Sequence, residues 1–311
     1  MEARVLSIII TYNGEWHIKK CLDSLLDSSL KSDVLVIDNA STDKTLQHIE
    51  EHKADITLRK LSENIGFGQA NNIGFAFALK ENYDFVVLLN QDAYLEPNTI
   101  EALVQMAIQH PKTKAEGNEI GVYAPVHLNG EERGIHSSFA QYFSEETISQ
   151  FQETGSSEMI PVEVDMVPAA VWLLTMPCLQ KVGGFDPIFF HYGEDDNFVH
   201  RMHHHGFSTV VVKNCFAHHE DDSVLRYSRS YYERQRTYMI LTSIQHLLSN
   251  DMADAEDVLR KRLTKRIVKA NLLMQWEDAR DFRRIRKELK TLVPQMLNSA
   301  ILGRQEGSFL S

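Results

Sequence analysis

The N-terminal part of the chain alternates short apolar runs with longer amphipathic stretches. Leu6–Ile10 is mostly β-branched or Leu and is closed by Thr11-Tyr12-Asn13-Gly14, the pattern of a buried strand ending in a turn. From Ile18 to Leu30 the apolar positions Ile18, Cys21, Leu22, Leu25 and Leu26 share one helical face. Val34–Ile37 is a second strand-like run. It ends in Asp38-Asn39-Ala40-Ser41-Thr42-Asp43, rich in turn and N-cap residues, and a helix is expected from about Lys44. Phe85–Leu89 is a third run and ends in Asn90-Gln91-Asp92. Strands alternating with helices predict βαβ units and a mostly parallel sheet. Ligands of such sheets bind outside the carboxyl ends of the strands, where this chain carries three polar strand ends in succession.

Beyond this region the pattern weakens. Residues from Lys112 to Val164 are polar with scattered Gly, Ser and Glu, and predict loops with short strands. Asp165–Met176 is apolar again, Gly183-Gly184 marks a tight turn, and Val210–Val212 predicts a further strand. From about Arg226 to near Leu302 the chain reads as helical and basic.

Composition narrows the classes. With 43% hydrophobic and 24% charged residues the chain is an ordinary globular protein, not a disordered one. No run approaches the roughly 18 apolar residues of a membrane helix. The start MEARVLSIIITYN lacks the features of a signal peptide, so a cytoplasmic protein is expected. Cys21, Cys178 and Cys215 lie far apart, which argues for core packing against a disulfide framework or structural zinc. The net charge of −11 is the sum of −18 over residues 1–225 and +7 over residues 226–311. So acidic a body is a poor nucleic-acid partner, and the basic tail is set apart from it.

Three groups could carry chemistry. Asp92, emerging from a buried strand beside oxygen-bearing neighbours, suits a divalent cation that also binds phosphate, although a turn acid looks the same. Glu194-Asp195-Asp196 places three carboxylates together, which raises the affinity of one for a proton and suits a general base, or else forms a solvated acidic loop. His218-His219 follows a strand, where a neutral imidazole can ligate metal. His203-His204-His205 sits at an expected helix end and reads as surface.

Taken in order, Ile8-Ile9-Ile10-Thr11-Tyr12-Asn13, Val36-Ile37-Asp38-Asn39-Ala40-Ser41-Thr42-Asp43, the segment Asn64-Ile65-Gly66 through Gly74, and Leu88-Leu89-Asn90-Gln91-Asp92 resemble the nucleotide-sugar half of family 2 glycosyltransferases. Val182-Gly183-Gly184-Phe185-Asp186 and Phe189-Phe190 through Glu194-Asp195 to Arg201 resemble that family's acceptor half. The branch most similar is the rhamnosyltransferase-like one, which usually has Pro where Gln91 stands. The resemblance implies an A-type glycosyltransferase fold, α/β with a mostly parallel central sheet, over residues 1–225. About 1–111 would bind the nucleotide sugar and 112–225 the acceptor, with 226–311 a basic helical extension.

It also implies a reaction: inverting transfer from a nucleoside diphosphate sugar, dTDP- or UDP-linked, to a hydroxyl of a glycan or lipid-linked acceptor in cell-surface polysaccharide assembly, with Mg or Mn as cofactor. Thr11, Tyr12, Asn13, Asn39, Gly66, Asn90 and Gln91 would line the nucleotide, and Asn64 and Asn71 would lie near base and ribose. Asp38, at an exposed strand end, would accept a hydrogen bond from the base. Asp92 would hold the metal with His218 or His219, and Asp195, with Glu194 beside it, would deprotonate the acceptor. Asp186, Arg201 and Arg234 would serve acceptor or diphosphate, Arg234 following Arg226-Tyr227-Ser228-Arg229-Ser230-Tyr231-Tyr232 in that branch's pattern. A nucleotide-sugar-binding protein without catalysis is the competing expectation, because Asn90 and Asn197 stand where carboxylates are usual. In the tail, Leu259, Leu263, Ile267, Ala270 and Met274 form one helical face flanked by Arg260, Lys261, Arg262, Lys265, Arg266 and Lys269. Such a helix either docks on its own domain or lies on the inner face of an anionic membrane.

Overall fold

The computed structural model describes residues 3–113, 117–130, 134–153, 158–220, 231–249 and 255–310. The chain begins β1 (Val5–Thr11), α1 (Ile18–Leu26), β2 (Asp33–Asp38), α2 (Thr45–Glu50), β3 (Ile56–Lys60), α3 (Phe67–Lys80) and β4 (Phe85–Leu89). These four strands pair parallel in the order β3-β2-β1-β4, and β1, β2 and β4 are the three runs that the alternating pattern predicted. β1 is buried on both faces, which is why it reads as an unbroken apolar run. Leu6, Ile8 and Ile10 pack with Phe75 of α3, while Val5 and Ile9 pack with Ile18 and Leu22 of α1. β3 escaped the sequence reading because it is a short, half-exposed edge strand.

The remainder of the body is β5 (Ala93–Leu95), α4 (Thr99–Gln109), β6 (Glu119–Asn129), α5 (Ser137–Ala140), α6 (Glu145–Gln152), β7 (Ile160–Val164), β8 (Val171–Thr175), α7 (Met176–Val182), α8 (Glu194–His204) and β9 (Phe207–His219). Here the sheet is mixed: β8 runs antiparallel to β4 and β6, while β6 pairs parallel with β9. The expectation of loops over 112–164 is corrected by β6, an eleven-residue strand lying between β8 and β9. Its disguise has physical causes. Pro125 sits at a register shift, where a strand tolerates proline. Gly121 admits the side chains of α7 and α8, since a Cβ there would lie 2.6 Å from Cys178 Sγ and 2.9 Å from Met202 Sδ.

The basic tail is helical where described: α9 (Tyr231–Ser249), α10 (Ala255–Leu272) and α11 (Trp276–Gly303). The segment Arg226 to Ser230 lies outside the described residues. Ile240, Ile244, Leu263, Ile267, Phe282, Ile285 and Leu289 form the core of this bundle, joined by Phe189 from the body. Beyond α11 the chain returns to the body, where Gly184 N–H donates to the Ser308 carbonyl (2.7 Å) and Gly307 N–H to that of Lys181 (3.0 Å). Gly183 has φ +86°, and a Cβ on it would lie 1.8 Å from the Ser308 oxygen, so the expected tight turn is also a docking platform. The buried face of α10 packs inside this helical bundle, against α11. Met274 is a correction: α10 stops at Leu272 and Met274 is exposed. The side chain of Leu259 lies outside the described residues.

Candidate active site

The ends of β1 and β2 lie side by side and are tied by their own side chains. Thr11 Oγ1 donates to Asp38 Oδ1 (2.9 Å), and Ser41 N–H donates to Asp38 Oδ2 (2.9 Å). Asp38 is 1% exposed, which corrects the expectation of an acceptor at an exposed strand end. It forms the floor of the loop. Asn13, at φ 49°, donates its N–H to Ser41 Oγ (2.9 Å) and accepts from Thr42 N–H through Oδ1 (2.8 Å). Asp43 accepts from Glu15 N–H (3.1 Å) and Thr45 N–H (3.0 Å). Burial alone would raise the Asp43 carboxyl, but these bonds outweigh it and hold the group below the ordinary range. Tyr12 and Asn13 are left on the accessible side of the laced loops.

Gln91 positions the loop that carries Tyr12. Its amide accepts from Tyr12 N–H (3.0 Å) and donates to the Tyr12 carbonyl (3.1 Å), as a neighbouring strand would. Gly14 makes room for it, since a Cβ there would lie 2.2 Å from Gln91 Oε1. Asn39 donates to Asn64 Oδ1 (2.9 Å) and accepts from Ile65 N–H (2.9 Å), drawing the loop before α3 onto the end of β2. Gly66, at φ +88°, leaves room for the Phe190 carbonyl, 2.2 Å from where a Cβ would be. Asn71 is buried and bonds back to the Phe67 carbonyl (3.1 Å). Its neighbour Asn72, which the sequence reading passed over, holds Phe185 through both N–H (2.7 Å) and carbonyl (2.8 Å).

The two halves meet at Ala169-Ala170. Asn90 N–H donates to the Ala170 carbonyl (2.9 Å), while Ala169 N–H reaches Asp195 Oδ2 at 3.5 Å. Asn90 Oδ1 is buried without a hydrogen-bond partner among the described residues, a costly state for a polar atom. Asp195 Oδ1 also accepts from Asp196 N–H (2.9 Å) in the first turn of α8. Burial pushes Asp195 above the usual carboxylate range, and burial together with Asp195 pushes Asp196 up to about 7. Glu194 is buried where α8 meets Gly68 at the start of α3. Tyr142 stands close enough to all three acids that burial and their charge raise its phenol.

Pairing of β5 with β9 brings Asp92 to the histidines. His219 Nε2 lies 3.3 Å from Asp92 Oδ1, whereas His218 stacks on Tyr94 (4.6 Å between centroids), meets the Gly130 carbonyl through Nδ1 (2.6 Å) and faces Glu96 at 3.5 Å. The geometry selects His219 as the partner of Asp92. Burial acts to raise the Asp92 carboxyl, but the His219 bond and charge, with His17 beyond, outweigh it and keep it below the ordinary range. Among the described residues no group of three or more His, Cys, Asp or Glu is arranged around a metal. An ionised carboxylate and an imidazole this close nonetheless fit two positions on a cation whose remaining ligands come from diphosphate and water. His136, ring centroid 4.7 Å from His219, packs behind it and was invisible in the poorly patterned segment 112–164.

Three expected contacts are corrected or left aside. Arg201 is wholly buried, donating to Asn197 Oδ1 (2.9 Å), the Val182 carbonyl (2.8 Å) and the Gly184 carbonyl. It braces the glycine turn from inside the core. Asp186 is buried too, accepting from Ile188 N–H (3.0 Å) and from the Ser299 hydroxyl of α11. Arg234 is exposed on α9. Because each buried acceptor left unpaired costs about 1–3 kcal/mol, Arg201→Met is expected to lower stability by about 3 kcal/mol or more. Urea titration reads this directly, and an unchanged midpoint would return Arg201 to the list of ligand contacts.

Comparison with known proteins agrees with this architecture. Residues 7–150 match the model of glycosyl transferase family 2. The chain is 26% identical over 257 residues to the N-acetylglucosaminyl-diphospho-decaprenol L-rhamnosyltransferase of Mycobacterium tuberculosis, covering 75% of this chain and 82% of that protein. In three dimensions it resembles S. aureus TarS 1–349 in complex with UDP-GlcNAc, with TM-score 0.59 and 18% identity over 97% of this chain and 90% of that one. It also resembles the mannosyltransferase PcManGT of Pyrobaculum calidifontis in complex with GDP-Man and Mn2+, with TM-score 0.54 and 17% identity over 97% and 87%. The fold is the α/β nucleotide-sugar transferase fold that the motifs implied.

Proposed function

We propose that the protein, whose residues 7–150 match glycosyl transferase family 2, moves a sugar with inversion from a dTDP- or UDP-linked donor to a hydroxyl of a glycan or lipid-linked acceptor. Residues 1–225 form the transferase unit and 226–311 an extension clamped to it. The observation that carries this reading is the joining of two unlike sites through Ala169-Ala170: a carboxylate–imidazole pair beside the donor strand ends, and a proton-hungry carboxylate at the start of α8. Tyr12 and Asn13 present the nucleotide wall, with Asp38 and Gln91 holding them in place. Asp195 takes the proton of the attacking hydroxyl. Asp92 and His219 would hold Mg or Mn, which when bound offsets the charge of the departing diphosphate. The mycobacterial relative's name, a rhamnosyltransferase acting on N-acetylglucosaminyl-diphospho-decaprenol, supports a lipid-diphosphate-linked acceptor.

Thermal melting with UDP, dTDP and GDP, each with and without Mn, tests the reading. A ligand that binds only the folded state stabilises it, by about 2.7 kcal/mol at a hundredfold excess over Kd. UDP or dTDP with Mn is expected to raise the melting temperature more than either component alone, and no response to any nucleotide would overturn the assignment. Donor hydrolysis without acceptor then separates an enzyme from a nucleotide-sugar-binding protein.

A further inference from the structure

The apolar stripe of α10 is consumed inside the bundle, where Leu263, Ile267 and Ala270 are buried. A second apolar feature is not. At the turn joining α10 to α11, Leu272 is 77%, Met274 75% and Trp276 63% exposed, and Leu273 and Val268 are more than half exposed. Of residues 272–276 only Gln275 is polar. The turn is held in shape, since Arg283 Nη2 donates to Asn271 Oδ1 (2.9 Å) and Gln275 N–H to the Ala270 carbonyl (2.8 Å). A contiguous apolar crest on solvent marks an interaction surface.

Its surroundings identify the partner. Residues 260–290 carry twelve Lys and Arg against four Asp and Glu, a net +8 within a protein of −11. Two of those acids are already engaged: Asp281 lies 3.6 Å from Arg280, and Glu288 accepts from Arg236 (3.0 Å). Lys265, Lys269, Arg286 and Lys287 stand exposed around the crest or on the helices leading to it. The four apolar side chains of the crest are each more than half exposed, at a turn between two helix ends. An apolar tip with Trp at its edge and a cationic collar matches an anionic bilayer, with side chains entering the acyl boundary and ammonium and guanidinium groups at the phosphates.

Position gives the tip a use. Arg236 meets Glu288 and Arg304 meets the Leu247 carbonyl, so α9 and α11 run parallel. α11 starts twelve residues before Glu288 and therefore reaches about 18 Å past that contact at 1.5 Å per residue. Thr237, beside Arg236, packs on Gly193, the cap of the helix that carries Asp195. We propose that the α10–α11 turn is a membrane foot. Leu272, Leu273, Met274 and Trp276 insert into the interface of an anionic membrane, and the basic collar holds its head groups, on the flank where α9 meets the acid loop. The attachment is peripheral, for no described helix is long and apolar enough to cross a bilayer.

Flotation of the full chain with phosphatidylcholine vesicles, with and without phosphatidylglycerol, reads binding independently of any sugar transfer. Binding is expected only with phosphatidylglycerol and is expected to weaken with salt. Leu273→Asp and the pair Lys265→Glu/Lys269→Glu, all at exposed positions, should each lower vesicle affinity at least about tenfold with unchanged melting temperature. In a Trp16→Phe background, leaving buried Trp172 as a constant signal, Trp276 emission should shift to the blue on phosphatidylglycerol vesicles. Equal binding to both vesicle types, or wild-type binding by both variants, would overturn the proposal. So would failure to float combined with a dimer that Leu273→Asp dissociates, because the crest would then serve a second copy of the chain.

Discussion

Asp195→Asn is expected to keep nucleotide affinity near wild type while lowering the transfer rate by roughly 10²–10⁴, the range of a positioned general base. The amide retains the shape of the side chain, and its oxygen can still accept from Asp196 N–H, now 2.9 Å away. The bond lost is the long one to Ala169 at 3.5 Å, so little of the effect can come from collapse of the α8 turn. Asp196→Asn is the control and should lose less than about tenfold, or about 1.4 kcal/mol of barrier. The pH profile adds a second readout. Asp195 acts only when ionised, and burial holds its proton above the ordinary range, so the rate should rise with pH along an acidic limb. Asp196 is pushed to about 7 by burial and by the charge of Asp195, so it still holds its proton while Asp195 ionises, and Asp196→Asn should leave the position of that limb near wild type. Stability has the opposite sign. Both acids are raised in the folded state, so between the ordinary carboxylate range and about 7 the folded chain holds more protons than the unfolded one. Their contribution to stability is therefore lost as pH rises through that window. Asp196→Asn should flatten the fall. A dead Asp196→Asn beside an active Asp195→Asn would show that the motif register through Glu194-Asp195 is displaced by one residue.

The parts of the fold legible in the sequence are those where one physical signal acted alone. β1, β2 and β4 are short, buried on both faces and closed by polar turns, so their apolar runs located them within a residue or two. β6 was hidden because a register shift at Pro125 and the close approach of α7 and α8 at Gly121 put residues into a central strand that elsewhere mark loops. The site divides the same way. Residue type and order are enough to suggest Asp92 and Asp195, because carboxylates at a strand end and a helix start keep their chemistry wherever the loops run. They cannot show how a side chain is engaged. Asp38, Gln91, Asn71 and Arg201 are polar residues inside matching motifs, yet their bonding capacity goes to backbone and neighbouring side chains. The choice between His218 and His219 rests on the register in which β9 pairs with β5, a property of pairing between distant segments.

That pairing underlies the second large effect, the loss of metal dependence in Asp92→Asn. The carboxylate of Asp92 is kept ionised against burial by His219 and His17, so the wild type presents a charged oxygen 3.3 Å from an imidazole nitrogen. Asn keeps an oxygen but no charge, and a hard divalent cation bound by so few protein groups depends on that charge. Calorimetry of UDP binding with and without Mn is expected to show the wild type tightened by the cation and Asp92→Asn indifferent to it. The drop in Mn-supported affinity should be at least about tenfold, the lower end of what even outer-sphere disturbance costs a metal site. His219→Ala should behave similarly. His218→Ala should not, because that ring is committed to Tyr94, Gly130 and Glu96. The comparison of the two histidines makes the result specific: a general loosening of the β5–β9 edge would weaken both variants alike, whereas a ligand pair distinguishes them. If Mn still tightens UDP in Asp92→Asn, the cation sits with Glu194, Asp195 and Asp196. The acids at the start of α8 would then have to be reassigned from proton transfer to metal binding.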